Sequence, residues 1–300
     1  MKLIYERKTL VKAIPLMALM AAINIIIAAL STLSVIVSVF LILILPLTSA
    51  LVEICCKDRY FPIYAVATFG LSLALTFWNI DTTIFYVLPS IITGYIFGLL
   101  AKHKVPSVWA IFAATLGQTA LMYALIPLVN FIFQVDVIMT FKTAFRVAEK
   151  EGIDIIVPTF IFLISLIQVG LSQMIVSLEL EKFGVREEKA FPPYIVPTFG
   201  LVLSLLIIPF YFIRLEFAYL FLAMSIFFMA DIIVETIVHK KYLQLIQYGV
   251  VVLLNVFLFA LLNTYLKNGS QLLLIGFSSA LICLISIVFS FLKMKKEKIQ

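Results

Sequence analysis

From Ala13 to Val52 the chain runs for forty residues without a single charged side chain. No soluble fold needs an uncharged stretch of that length. A membrane does, because the hydrocarbon core is about 30 Å thick and a helix rises about 1.5 Å per residue, so one crossing takes about 20 apolar residues. Forty residues suffice for two crossings, with the polar break at Ser31-Thr32-Leu33-Ser34 as the turn between them. A backbone in hydrocarbon must satisfy its own hydrogen bonds, which makes helices the default. The stretch also exceeds the 7–15 apolar residues, roughly, of a secretory leader. The expectation is therefore an uncleaved first span behind the basic residues Lys2, Arg7, Lys8 and Lys12.

The same pattern continues to the C-terminus. Charges and turn residues divide the rest into Phe61–Ile80, Thr83–Ala101, Pro106–Gln134, Ile155–Leu178, Phe191–Ile213, Phe217–Val238, Leu243–Leu266 and Gln271–Leu292. The sequence thus predicts an all-α, polytopic transmembrane bundle of about ten spans. The fifth run is longer than one crossing requires and contains Pro127, so a tilt or a kink is expected there. Composition agrees: 64% of the 300 residues are hydrophobic and 13% are charged, against about 25% charged in ordinary soluble domains.

Orientation follows from the basic residues. With the N-terminus in the cytoplasm, 17 of the 22 Lys and Arg residues fall on the cytoplasmic side and 5 outside. That asymmetry fits an even number of spans with both termini cytoplasmic. The net charge of +6 is spread over short loops and ends, where it meets lipid headgroups. It forms no basic domain, so nucleic acid is not an expected partner.

Two connections exceed a tight turn. In Val135–Asp154 the apolar residues Met139, Phe141, Phe145 and Ala148 recur every three to four positions, as on an amphipathic helix in the interface. It is read either as a lid over an outward-facing site or as a connector resting on lipid. Glu179–Lys189 is mixed in sign and separates a six-span module, residues 1–180, from a four-span module, residues 190–300. Ile156-Val157-Pro158-Thr159-Phe160 echoes Ile195-Val196-Pro197-Thr198-Phe199, but five residues are too few to establish a repeat.

Residues that carry chemistry are sparse. There is no phosphate-binding glycine loop, no His-Glu-x-x-His and no Gly-x-Ser-x-Gly. The two histidines, His103 and His239, stand beside lysines at helix ends. Cys55, Cys56 and Cys283 have neither disulfide nor metal spacing. Cys55-Cys56 beside Lys57 is read as buried small residues rather than as a lipidation site. The chain is accordingly not expected to be an enzyme, and no cofactor or metal is implied.

Ionisable residues inside spans are the sharper signal, because they are costly in lipid. Glu53 lies at the cytoplasmic end of the second span, with Lys57 one turn on as its expected partner. Asp231 and Glu235 share a face of the eighth span. They are read either as a proton or cation site, or as an interfacial helix end with Glu235 satisfied by His239 or Lys240. Asn24, Gln118, Gln168, Gln173, Asn255 and Asn263 suit interhelical hydrogen bonds. Toward the outer ends of spans three to five, Trp78, Asn79, Asp81, Tyr86, Asn130 and Gln134 form a candidate solute site of aromatic planes, amides and an acid; Trp78 equally suits an interfacial anchor. Ala18 and Ala22 make a small-xxx-small pair for close helix approach within the bundle or to a partner subunit.

The basic N-terminus, the Ala-rich first span (Ala18-Leu19-Met20-Ala21-Ala22), Leu45-Pro46-Leu47-Thr48-Ser49-Ala50, Leu88-Pro89-Ser90, Gly94-Tyr95-Ile96-Phe97-Gly98 and the Pro106-led fifth span together resemble the substrate-binding S components of energy-coupling factor transporters. They resemble still more the YybS-like family of predicted bacterial membrane proteins, which look like S components with extra C-terminal spans. The resemblance implies a location in the bacterial cytoplasmic membrane and binding of a small-molecule solute. It also implies that Ala18 and Ala22 contact a transmembrane coupling subunit driven by ATPases. The four additional spans depart from the six-helix pattern, and no ligand-binding signature carries over. Two further classes stand beside this one: a non-transporting membrane scaffold or assembly factor, and a proton-coupled secondary transporter using Asp231.

Overall fold

A computed structural model describes residues 7–32, 35–80, 83–144, 153–182, 191–262 and 271–297. These are helical almost throughout, and the only β-type pairing among them is an isolated bridge between Arg7 and Cys56. The helices are α1 (Leu10–Ser31), α2 (Val35–Cys55), α3 (Phe61–Leu75), α4 (Leu88–Lys102), α5 (Ser107–Phe133), α6 (Val137–Ala144), α7 (Val157–Lys182), α8 (Ile195–Ile213), α9 (Leu215–Val238), α10 (Tyr242–Leu262) and α11 (Gln271–Glu297). Among the described residues, eight helices are long and apolar enough to cross a membrane. They correspond to α1, α4 with the turn before it, α5 and α7 to α11. Ile42–Cys55 of α2 is a shorter apolar helix, and α3 has 15 residues. The chain is an all-helical integral membrane protein.

Two boundaries differ from the sequence expectation, for local reasons. The third apolar run stops being α-helical at Leu75, where the Thr76 hydroxyl donates to the Ser72 carbonyl (2.8 Å). A 3-10 turn, Phe77–Asn79, follows. The fourth run opens with a π-helical turn, Thr83–Val87, before α4. Pro89 has no N–H for the carbonyl four residues back and its ring crowds that carbonyl, which accounts for a widened turn immediately ahead of it. By contrast, α5 continues through Pro127 to Phe133. The amphipathic segment forms the eight-residue α6; Phe145 and Ala148 lie outside the described residues.

The chain divides into two compact units. One comprises residues 1–149 and 163–190, the other residues 150–162 and 191–300. Both echoing five-residue segments fall in the second unit.

In the first unit, α2 and α4 run in close contact because two glycines allow it. A Cβ on Gly94 would sit 2.2 Å from the Pro46 carbonyl oxygen and 2.5 Å from Ser49 Cβ; one on Gly98 would sit 2.6 Å from Glu53 Cβ. Small-xxx-small spacing brings backbones together in membranes, where packing replaces the hydrophobic effect as the driving force. Leu45–Ala50 and Gly94–Gly98 are thus the two faces of one helix contact. Around it the helices are laced by buried polar side chains. The Asn24 amide donates to Thr48 Oγ1 (2.9 Å), and the Tyr64 hydroxyl to the same oxygen (3.2 Å). Thr93 Oγ1 donates to Gln118 Oε1 (3.1 Å), whose Nε2 donates to Gln168 Oε1 (2.8 Å).

The second unit is built differently. Its core of Ile207, Ala218, Leu222 and Leu272 at one level, and Ile232, Tyr248, Ile282 and Cys283 at another, is almost wholly apolar. A short hydroxyl relay, Ser204 to Ser279 (3.2 Å) and Ser279 to the Ser225 carbonyl (3.3 Å), ties α8, α11 and α9. The Asn255 amide donates to the Leu274 carbonyl (2.6 Å) and Arg214 meets Glu216 at one end; a second group of polar side chains gathers at the opposite end.

Candidate functional site

At that end α9 finishes, α10 begins, and the chain turns between them. The turn is a Schellman cap. Lys240 takes the left-handed conformation (φ 51°), its N–H reaches the Ile237 carbonyl (3.0 Å), and the Lys241 N–H reaches Thr236 (3.0 Å). His239 Nδ1 lies 2.9 Å from the Glu235 carbonyl oxygen. The same device closes α4, with His103 in the equivalent place, Lys104 at φ 58°, and Lys104 and Val105 N–H groups on Ala101 and Leu100 (3.0 and 2.9 Å). Both histidines are therefore helix-capping positions flanked by lysines, as their sequence setting indicates.

Behind the α9 cap, within the second unit, lies a cavity of about 500 Å3, in the size range of small-molecule sites. Its polar wall carries Glu235, His239, Lys241, Gln244, Ser290 and Lys293. Ile232, Tyr242, Leu243 and Phe289 form an apolar wall. Lys241 Nζ stands 3.7 Å from Glu235 Oε1. Lys241, rather than His239 or Lys240, thus supplies the charge facing Glu235. Its reach follows from the tight cap, which folds Lys241 back over the end of α9. Gln244 is 8% exposed, and its side chain has no hydrogen bond among the described residues. Beneath it the Tyr248 hydroxyl is buried next to Ser286 and Thr236. Glu235 lines this cavity; Asp231, half-buried one turn earlier on α9, does not.

The first unit holds a second ionisable group, at the joined ends of α2 and α4. Glu53 is 1% exposed, and neither carboxyl oxygen has a hydrogen-bond partner. Its nearest cation is Lys102 at 3.8 Å, not the Lys57 expected from the sequence. Lys102 comes from α4, and only the glycine-mediated contact places it there. The same ammonium donates to Asp58 Oδ1 (2.5 Å) and to the Cys56 carbonyl (3.2 Å), so it caps the end of α2. That hydrogen bond holds the Asp58 carboxyl below the usual carboxylate range. Cys55 and Cys56 are buried free thiols. Among the described residues, no group of three or more His, Cys, Asp or Glu side chains is arranged to hold a metal.

The outer residues fare unevenly. Trp78 is two-thirds exposed and meets Phe77 edge-on (centroids 4.8 Å). Tyr86 is half-buried in the π turn. Asn130 Oδ1 accepts the Val137 N–H (3.0 Å), fastening α6 to α5, and the Gln134 amide donates to the Phe131 carbonyl (3.1 Å) at a left-handed helix end. Asp81 and the Asn79 side chain lie outside the described residues. Neither cavity described here is lined by any of these six. Ala18 and Ala22 are exposed and, with Ala21, Ile63, Tyr64 and Ala67, line an apolar groove of about 290 Å3 between α1 and α3.

Sequence reasoning missed the cavity, because Gln244 on α10 and Ser290 and Lys293 on α11 come from separate stretches of the chain. The available signal was positional: Lys240-Lys241 and Lys293 lie at ends of apolar runs on the same predicted side. Compared with protein-family models, with curated proteins and with solved structures, the chain matches none.

Proposed function

We propose that this chain is a ten-span protein of the bacterial cytoplasmic membrane, with both termini cytoplasmic, that binds a small solute and helps it cross or leave the bilayer, without catalytic activity of its own. The observation that carries this reading is the cavity of about 500 Å3 in the second unit, with Lys241, Lys293 and Gln244 facing it. A polar recess at the headgroup end of an otherwise apolar helix bundle suits selective capture of a polar molecule. In this reading α2 and α3 are spans as well, the latter completed by its 3-10 continuation. The basic ends of α4, α9 and α11 are cytoplasmic, consistent with the excess of Lys and Arg on that side. The S-component-like pattern of the first unit supplies the transport role. There the exposed Ala18–Ala22 groove receives a helix of a transmembrane coupling subunit served by ATPases.

The test is native mass spectrometry of the full chain, gently extracted from its host membrane. A retained small molecule, or co-purifying ATPases with a coupling subunit, is the expected result. A ligand-free protein accompanied only by envelope or division proteins would sink the solute reading in favour of a scaffold.

A further inference from the structure

We propose that the cavity of the second unit is a receptor for a phosphate group, borne by a membrane amphiphile or by a soluble phosphorylated solute. The inference rests on the solute-binding reading above and names its ligand class. Three independent features converge on it.

The first is charge. Two lysines, Lys241 and Lys293, and one carboxylate, Glu235, line the wall. Lysines act as point charges toward phosphate, whereas the planar fork of arginine that suits a lone carboxylate is absent from the wall. The second is an orphaned donor. Gln244 is more than nine-tenths buried and faces the cavity, yet its amide has no partner among the described residues. The amide opens onto the cavity, so a ligand oxygen at this position can accept from it without displacing a protein partner. The third is the start of α10. Tyr242, Leu243 and Gln244 form its first turn and line the cavity, the Tyr242 N–H being taken by the Lys240 carbonyl (3.0 Å). Backbone N–H groups of a first turn lack intrahelical acceptors and carry the positive end of the helix dipole. The 21-residue α10 therefore adds fixed partial charge to that of the lysines. The apolar wall of Ile232, Leu243 and Phe289 gives space for a non-polar portion next to the phosphate.

Glu235 opposes an anion, and Lys241 stands between the two. Neutralising that carboxylate sharpens the test, because a phosphate receptor gains affinity while a receptor for cations loses it.

The experiment uses the full chain in phosphatidylcholine nanodiscs. It is titrated separately with a short-chain phosphatidic acid and with inorganic phosphate, read by native mass spectrometry and 31P line broadening. Saturable one-to-one binding is expected for at least one probe. Gln244→Leu and the pair Lys241→Met with Lys293→Met should each weaken it about tenfold or more, the scale of one charge-assisted hydrogen bond. Glu235→Gln should tighten it. Lys240→Met, which removes an equal charge outside the cavity, should leave it unchanged and reports that the fold survives. Phosphatidic acid binding far more tightly than inorganic phosphate identifies a lipid-borne group; equal affinities identify a soluble one. No binding of either probe, or binding equally weakened by Lys240→Met, overturns the proposal. A phosphorus-free solute retained from the host membrane would overturn it while leaving the broader solute-binding function standing; retention of no solute at all would remove both.

Discussion

The two units solve the same problem, polar atoms in a membrane, in opposite ways. In the first, polar side chains lie deep and many bond across helices: Asn24 to Thr48, Thr93 to Gln118, Gln118 to Gln168, with Lys102 between Glu53 and Asp58, while Thr68, Ser90 and Gln173 keep buried oxygens without a hydrogen-bond partner. In the second, the core is apolar apart from a serine relay, and a group of polar side chains at one end surrounds a cavity, with no hydrogen bond to the Gln244 amide among the described residues. Polar groups that satisfy each other hold helices together. Polar groups that face an empty volume are available to something else. The difference is one of place: interhelical bonds deep in the first unit, and a polar cavity wall at one end of the second.

The largest effect should come from breaking the ion pair of the first unit. Lys102→Met removes the cation that meets Glu53 and Asp58 and caps the end of α2, and should cost about 3 kcal/mol. Detergent-resistant folding monitored by thermal size-exclusion chromatography would show it, and adding Glu53→Gln should restore most of the loss. A single variant as stable as the parent would mean that Glu53 is not a structural charge.

Close packing comes next. Gly94→Leu drives a side chain into the Pro46 carbonyl and should cost about 3 kcal/mol. Gly249 in the second unit has open space where a Cβ would sit, so Gly249→Leu should be close to neutral in the same assay. Equal sensitivity at both sites would erase the contrast in packing.

Gln118→Leu removes the middle of the Thr93–Gln118–Gln168 chain, and a loss of about 1 kcal/mol is expected, the usual scale of interhelical hydrogen bonds in membranes. Gln244→Leu, also a buried amide, should cost no stability, because it has no bond to lose. A comparison of the two melting temperatures decides whether buried amides in the two units play different parts.

The smallest effect has the opposite sign. Lys240 holds the left-handed cap of α9 without being glycine, and Lys240→Gly should stabilise that turn by about 1 kcal/mol. Hydrogen exchange of the Lys241 N–H, bonded to Thr236, would slow accordingly; a faster exchange would show that the lysine side chain secures the cap.

Much of the architecture was legible beforehand, for a physical reason. A bilayer imposes one length and one polarity on every crossing, so runs of about 20 apolar residues read directly as helices. The breaks at Thr76 and before Pro89 were less visible, since hydroxyl back-bonding and a missing N–H shift the winding of a helix without changing its hydropathy. Partners were less visible still. Local spacing offered Lys57 to Glu53 and His239 or Lys240 to Glu235, and the folded chain uses Lys102 and Lys241 instead. Asp231 and Glu235, one turn apart, were legible as a pair, yet only Glu235 reaches the cavity.

By itself, then, the sequence determined an all-helical membrane protein, its apolar segments and its basic ends, because solvent preference is a property of each residue summed along the chain. Tertiary structure alone decided that Gly94 and Gly98 press against Pro46 and Glu53, and that Lys102 therefore reaches a buried acid. It also gathered Lys241 and Gln244 from one segment and Lys293 from another around one cavity. Those juxtapositions depend on how helices pack and turn, which no stretch of sequence encodes locally.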